Sequence, residues 1–228
     1  MTILKSCVFS VVHQGSLEFL DDFLQSLNRQ SNSDFDLFLV VDNVPLVILQ
    51  DVVQNIKYKF AINYFEHSGG LLENRVKGLQ HLGKTNEDYQ SIIFVDSDDL
   101  LSDNYVEEVT RHIRSFDFVF SDLAPFYNND YEYSDKPVWR ERFQKLDTID
   151  IFFLRDKNVL GFGNTSMNFK LIKKIKSHYP EPIAPDWFFF KQLLTPFDKI
   201  KYSRDSIVFY RQHSNNIAGY KLLTPDKL

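Results

Sequence analysis

Three aspartates stand within four positions in "IIFVDSDDLL": Asp96, Asp98 and Asp99, directly after an apolar run. Alternate side chains of an extended segment share a face, so Asp96 and Asp98 can converge while Asp99 points elsewhere. Two carboxylates about 6 Å apart repel by roughly 3 kcal/mol at an effective dielectric near 20. Shared protonation, solvent or a divalent cation must offset that cost. Mg²⁺ and Mn²⁺ suit such oxygen ligands, binding through one or two carboxylates and completing their shells with substrate phosphates. The competing reading is architectural: aspartates open turns and cap helices, and Asp99 and Asp103 are both candidates for capping. A calcium loop of the EF-hand kind is excluded, because counting from Asp96 puts Leu101 at the sixth position, where glycine is needed.

Other residues of chemically capable type are scattered. Asp186, in "APDWFFF", stands at a predicted helix start beside an indole, and either caps that helix or is free to act as a base. His213 follows a β-branched and aromatic run; its neutral imidazole is a competent metal ligand. Arg211, two residues earlier in the same extended run, can share that face. Asp42 ends an apolar run, a place equally suited to a turn residue. Arg75, in "GGLLENRVKGL", falls on a helix whose face is either solvated or part of a site.

The elements that must position these residues alternate through the first half. Residues 6–12, 36–42, 57–65, 91–95 and 117–123 read as strands. Between them lie amphipathic helical patterns, of which Leu17, Leu20, Phe23, Leu24 and Leu27 mark the first. This order predicts an α/β fold with a mostly parallel central sheet flanked by helices. Ligands in such sheets bind beyond the carboxyl ends of the strands, where Asp42 and Asp96 both stand. Residues 124–143 read as a long irregular excursion, 149–156 and 186–194 as helices, and 199–212 as a late hairpin. No repeat or linker interrupts the chain, so one domain over residues 1–228 is expected.

Bulk properties narrow the function. The chain of 228 residues is 43% hydrophobic and 25% charged, as in a globular domain. A net charge of −5 with no Lys/Arg block gives no footprint for nucleic acid. The one cysteine, Cys7, allows no internal disulfide and sits among apolar residues as a core side chain, which fits a reducing cytoplasm. No signal peptide or membrane-length apolar run is present, so membrane contact is expected to be peripheral, at the inner face, or through a partner. The match "NTS" at Asn164 reads as coincidental.

"IIFVDSDDLLSDNYVEEV" resembles the D-x-D region of GT-A fold glycosyltransferases, in particular the large inverting family 2. Other stretches agree in order: "SVVHQGSLEFLDDFLQSLNRQ" into "DLFLVVDN" resembles the first strand–helix–strand unit and "GGLLENRVKGL" the R-N-x-G segment. "APDWFFFKQLL" resembles the catalytic acidic segment and "VFYRQHSNNIAG" the closing arginine–histidine stretch. Together they span residues 6–219.

The resemblance implies a nucleotide-diphosphate sugar donor, most commonly a UDP-sugar, and a divalent metal, Mn²⁺ or Mg²⁺. It implies Asp98 and His213 as metal ligands, and Asp96 at the ribose or metal shell. It places Asp42 against the base, Arg75 and Arg211 toward the donor phosphates, and Asp186 as general base. Residues 1–123 would form the nucleotide-sugar half and 124–228 the acceptor and catalytic half. The acceptor would be a glycan or glycolipid in surface-glycan or lipopolysaccharide biosynthesis. Nothing resembles the Q-x-x-R-W signature of processive synthases, so one sugar per encounter is expected. Three segments depart from the family pattern: "SVVHQGS" after the first strand, "DNVPLV" after the second, and Val76 where asparagine is expected. All fall in the nucleotide pocket and leave a catalytically degenerate sugar-nucleotide binder as an alternative. A nucleotidyltransferase shares the fold and metal chemistry but needs a Gly-rich nucleotide loop near the N-terminus, which "SVVHQGS" does not supply.

Overall fold

The computed structural model describes residues 4–54, 57–85, 87–127, 136–143, 146, 149–180 and 182–213. The runs "SCVFSVVH" and "FDLFLVVD" form β1 (Ser6–His13) and β2 (Phe35–Asp42), each buried on both faces along nearly its whole length. That is the pattern of strands covered by helices on either side. The other elements are α1 (Leu20–Asn28), α2 (Leu46–Gln54), β3 (Ile62–Glu66), α3 (Leu71–Leu82), β4 (Ser91–Phe94), β5 (Leu100–Leu101), α4 (Tyr105–Ile113), β6 (Phe118–Tyr127), α5 (Val138–Arg142), α6 (Ile151–Asp156), β7 (Thr165–Asn168), α7 (Pro185–Leu193) and β8 (Ile200–Gln212).

These strands form one sheet in the order β3-β2-β1-β4-β7-β6-β8-β5. The first four strands pair in parallel, as the strand–helix alternation predicts. The remainder is mixed. β7 runs antiparallel between β4 and β6, β5 is antiparallel to the end of β8, and β6 and β8 are parallel. This insertion of β7 joins residues more than forty positions from β6, a pairing that local periodicity does not encode.

Two expectations need correction. Residues 199–212 do not make a hairpin: β8 is one strand of 13 residues. The polar centre that suggested a turn is residues 204–206, which bulge where the register against β6 shifts between Ser121 and Asp122. Residues 124–143 are also more regular than expected, since 124–127 complete β6 and 138–142 form α5. Asp122 supplies the reason. It is fully buried. Its Oδ1 accepts the backbone N–H of Leu123 (2.9 Å) and Trp139 (2.7 Å), and its Oδ2 accepts the Arg140 N–H (3.0 Å) and the Tyr202 hydroxyl (2.6 Å). One carboxylate thus ties α5 and β8 to β6. Tyr131 and Tyr133, from the middle of the expected excursion, and residues 214–228 lie outside the described residues.

Two apolar layers sandwich the sheet, one including residues of α3, α6 and α7, the other residues of α1, α2 and α4. Phe94, at the end of β4, packs against Phe9, Phe162, Phe189 and Phe190 at 5.5 to 6.3 Å between ring centroids. α3 lies so close to the sheet that a methyl group at Gly78 would overlap Val40 and Phe9. That approach brings Arg75, one turn earlier, down to the carboxyl edge.

Candidate active site

At that edge the chain leaves β4 and turns through Asp96–Asp99, closed by the Asp99 N–H to the Asp96 carbonyl (3.2 Å). Ser97 faces inward, with its hydroxyl bonded to the Val11 carbonyl at 2.9 Å. Asp96 and Asp98 emerge partly exposed, whereas Asp99 is fully buried. Asp99 does not cap a helix, and neither does Asp103. Asn104 holds the N-cap position of α4, with no side-chain cap bond, and Asp103 pairs with Arg29 at 3.5 Å.

Arg75 is not on a solvated face. Its side chain is only 9% exposed, and Nη2 lies 2.5 Å from Asp96 Oδ1. Nη1 donates to the Leu71 carbonyl (3.1 Å), and the guanidinium covers the Phe162 ring at 4.7 Å. Arg75 is therefore committed to holding Asp96. Burial pushes the Asp96 carboxyl above its ordinary pKa, the Arg75 charge opposes this, and the charges of Asp98 and Asp186 add to it.

His213, just beyond β8, places Nε2 3.0 Å from Asp98 Oδ2 and packs its ring on Phe19 at 4.8 Å. These residues are 115 positions apart. Arg211 is fully buried between Phe19 and Phe126, each 4.7 Å away. Its Nε donates to the Asp98 carbonyl (2.7 Å), its backbone N–H to Asp99 Oδ1 (2.9 Å), and Nη2 to Asp22 Oδ2 (2.9 Å). Sealed in this way, Arg211 has no exposed surface to offer a donor directly; it positions the Asp98–Asp99 turn. Asp99 Oδ2 is buried without a hydrogen-bond partner among the described residues. Burial first, then the Asp98 and Asp96 charges, raise the Asp99 carboxyl well above its ordinary pKa.

Asp42 closes β2, and its Oδ2 accepts Asn74 Nδ2 (2.9 Å) from the residue preceding Arg75. Asp186 sits at the second position of α7, after Pro185, while Ala184 takes the N-cap position with no side-chain cap bond. The capping alternative for Asp186 thus loses its geometry. A Cβ on Gly161 would lie 3.4 Å from Asp186 Oδ2, and one on Gly163 would lie 3.1 Å from Asp96 Oδ2. Asp186 and Asp96 therefore flank one loop, which buried Asn164 holds through bonds to the Ser121 and Val159 carbonyls and the Gly161 N–H. Its burial also removes Asn164 as a glycan attachment point. Trp187, the indole beside Asp186, donates Nε1–H to the Leu154 carbonyl (2.9 Å) and is covered by Lys191.

Among the described residues no three His, Cys, Asp or Glu side chains form a metal cage. Asp98 and His213 nevertheless fit a divalent ion: a hard oxygen and an imidazole nitrogen already converge, and two protein ligands leave the remaining positions to water and phosphate oxygens. Sequence reading missed Asn74, Asp22 and the Gly161–Gly163 loop. Each acts through a partner distant in the chain, and only the paired glycines of "GFGN" carry a visible signal.

No curated protein sequence matches this chain. Its fold matches that of S. aureus TarS 1-349 in complex with UDP-GlcNAc, with a TM-score of 0.67 and 17% identity, over 93% of this chain and 60% of that one. It also matches GalNAc-T7 solved with UDP, GalNAc and Mn²⁺, with a TM-score of 0.67 and 14% identity, over 92% of this chain and 44% of that one. This chain thus spans less than two thirds of either structure. At such identities the likeness shows the fold, a GT-A glycosyltransferase fold. The sequence model for glycosyl transferase family 2 matches residues 7–176, and with a match over most of its length the chain belongs to that family.

Proposed function

We propose that this glycosyltransferase is inverting and non-processive, moving one sugar from a UDP-sugar to a hydroxyl of a glycan or glycolipid, with Mn²⁺ or Mg²⁺ held by Asp98 and His213. The observation that carries the reading is the Asp98–His213 pair, 3.0 Å apart, beside the Arg75–Asp96 pair at the carboxyl edge of parallel strands. The UDP-GlcNAc held by TarS, and the UDP and Mn²⁺ held by GalNAc-T7, support the donor and metal class.

Asp186 accepts no hydrogen bond among the described residues, which leaves its oxygens to an acceptor hydroxyl. It takes the hydroxyl proton as that oxygen attacks the anomeric carbon. The new bond forms on the face opposite the diphosphate, whose oxygen leaves with the bonding pair, so the configuration inverts. A divalent ion, when bound, neutralises the charge gathering on that oxygen. Asp98 and His213 would hold the ion, and Asp96, fixed by Arg75, would face the ribose or the metal shell. Asp42, fixed by Asn74, faces the base. The half formed by residues 124–228 supplies the acceptor side. The fitting setting is surface-glycan or lipopolysaccharide synthesis in the cytoplasm, at the inner face of a membrane. Among the described residues no helix is long and apolar enough to cross a membrane.

A thermal-shift panel of UDP, GDP, CDP and dTDP, each with and without Mn²⁺, tests the donor half. A ligand at about 100 times its Kd adds about 2.7 kcal/mol of stability, a readable change in melting temperature. UDP with Mn²⁺ should give the largest shift, and UDP should be released from a UDP-sugar in the presence of an acceptor. No shift with any nucleotide would overturn the reading in favour of a degenerate family member.

A further inference from the structure

The end of the sheet opposite the carboxylates carries a recess of about 410 Å³. It lies at the amino-terminal start of β4, bounded by the residues before that strand, the end of α4, and the 3₁₀ turn Phe169–Lys174 that follows β7. The length of β4 therefore separates it from Asp96. A volume of this size is in the range that takes a small organic ligand.

Its lining divides into two chemistries. Tyr89 and Phe169 meet edge to face at 5.6 Å between centroids and, with Ile172, give an apolar and aromatic floor. Arg114, Lys170, Lys173 and Asp88 also line it and are exposed. Lys170 is engaged with Asp117 at 2.6 Å. Arg114 and Lys173 are exposed and have no hydrogen-bond or ion-pair partner among the described residues. In a chain of net charge −5, two uncommitted cations over an aromatic floor are a local inversion of the overall field.

We propose that this recess is a second, non-catalytic site for a ligand carrying a phosphate on an apolar or ring-shaped body, the phosphate pairing with Arg114 and Lys173. Arg114 offers a fork of N–H donors and Lys173 a mobile point charge, the combination that recognises phosphate oxygens. The body enters over Tyr89 and Phe169. A soluble phosphorylated metabolite and a phospholipid headgroup share this chemistry.

Phenyl phosphate, titrated calorimetrically without divalent metal, is the probe. Saturable binding is expected, weakened roughly tenfold or more in Arg114→Glu/Lys173→Glu, because two charge-assisted contacts become repulsions. The control Lys57→Glu, away from the recess, should bind as wild type does. UDP binding with Mn²⁺ should be unchanged in the double variant, which separates this site from the donor site and shows that the fold is intact. Sedimentation with phosphatidylglycerol vesicles distinguishes the sources. Co-sedimentation lost in the double variant assigns a lipid headgroup; phenyl phosphate binding without co-sedimentation assigns a soluble ligand. No saturable phenyl phosphate binding at millimolar concentration, or equal binding by the double variant, would overturn the proposal.

Discussion

Asp98 and His213 meet at 3.0 Å although one belongs to the turn after β4 and the other follows β8. Arg211 makes this meeting possible: its backbone N–H and Nε grip Asp99 and the Asp98 carbonyl, which fixes the end of β8 against the turn two residues before the imidazole. If the pair holds a divalent ion, each partner should matter separately. Asp98→Ala is expected to abolish the Mn²⁺-dependent part of nucleotide binding. His213→Ala should weaken it by about 10- to 100-fold, on the order expected for loss of one ligand or its supporting contact. Calorimetry with UDP at fixed Mn²⁺ reads both; metal-dependent affinity unchanged in Asp98→Ala would remove this pair from the site.

Asp186 stands at the start of α7 without capping it. Asp186→Asn keeps the shape and removes the base, so turnover should fall by about 10²- to 10⁴-fold, the usual contribution of a positioned general base. Binding of UDP with Mn²⁺ should persist. Near-normal turnover in a steady-state UDP-release assay would return Asp186 to a structural role.

Tyr202 is buried and donates to the fully buried Asp122. Burial and that hydrogen bond push its phenol up to about 12, against an ordinary value of 10.0. With the folded value above the unfolded one, the native state holds more protons across that interval, so stability falls as pH rises from 10.0 towards about 12. Tyr202→Phe should lose this part of the alkaline dependence while costing about 1–3 kcal/mol at neutral pH, because Asp122 forfeits a donor. Urea unfolding at pH 8 and above 10 compares the two slopes; an identical slope in the variant would show that Tyr202 does not carry the dependence.

Gly78 pits two effects against each other. Alanine would gain about 1 kcal/mol in helix propensity. Its methyl, however, would land on Val40 and Phe9 in a packed layer, and overpacking costs about 1–3 kcal/mol. Overpacking should win, because both neighbours are buried and have nowhere to move. Gly78→Ala is therefore expected to lower the urea midpoint and, by lifting α3, to loosen Arg75 from Asp96 and weaken donor binding. A stabilised variant would show that α3 can back away from the sheet.

The sequence by itself determined much of this molecule. Its apolar runs and helical spacings set β1 to β4 with their intervening helices, because buried strands and amphipathic helices write their periods locally. The placement of Asp42 and Asp96 at strand ends followed from the same periods. Tertiary structure alone decided that β7 inserts antiparallel between β4 and β6 and that residues 199–212 stay one strand, because both depend on partners far away in the chain. It also decided which charged residues are spent on one another. Arg75 and Arg211 look like free cations in sequence, yet Asp96, Asp22 and the Asp98–Asp99 turn consume them. A buried guanidinium requires its hydrogen-bond acceptors, and the fold rather than the neighbouring sequence provides them.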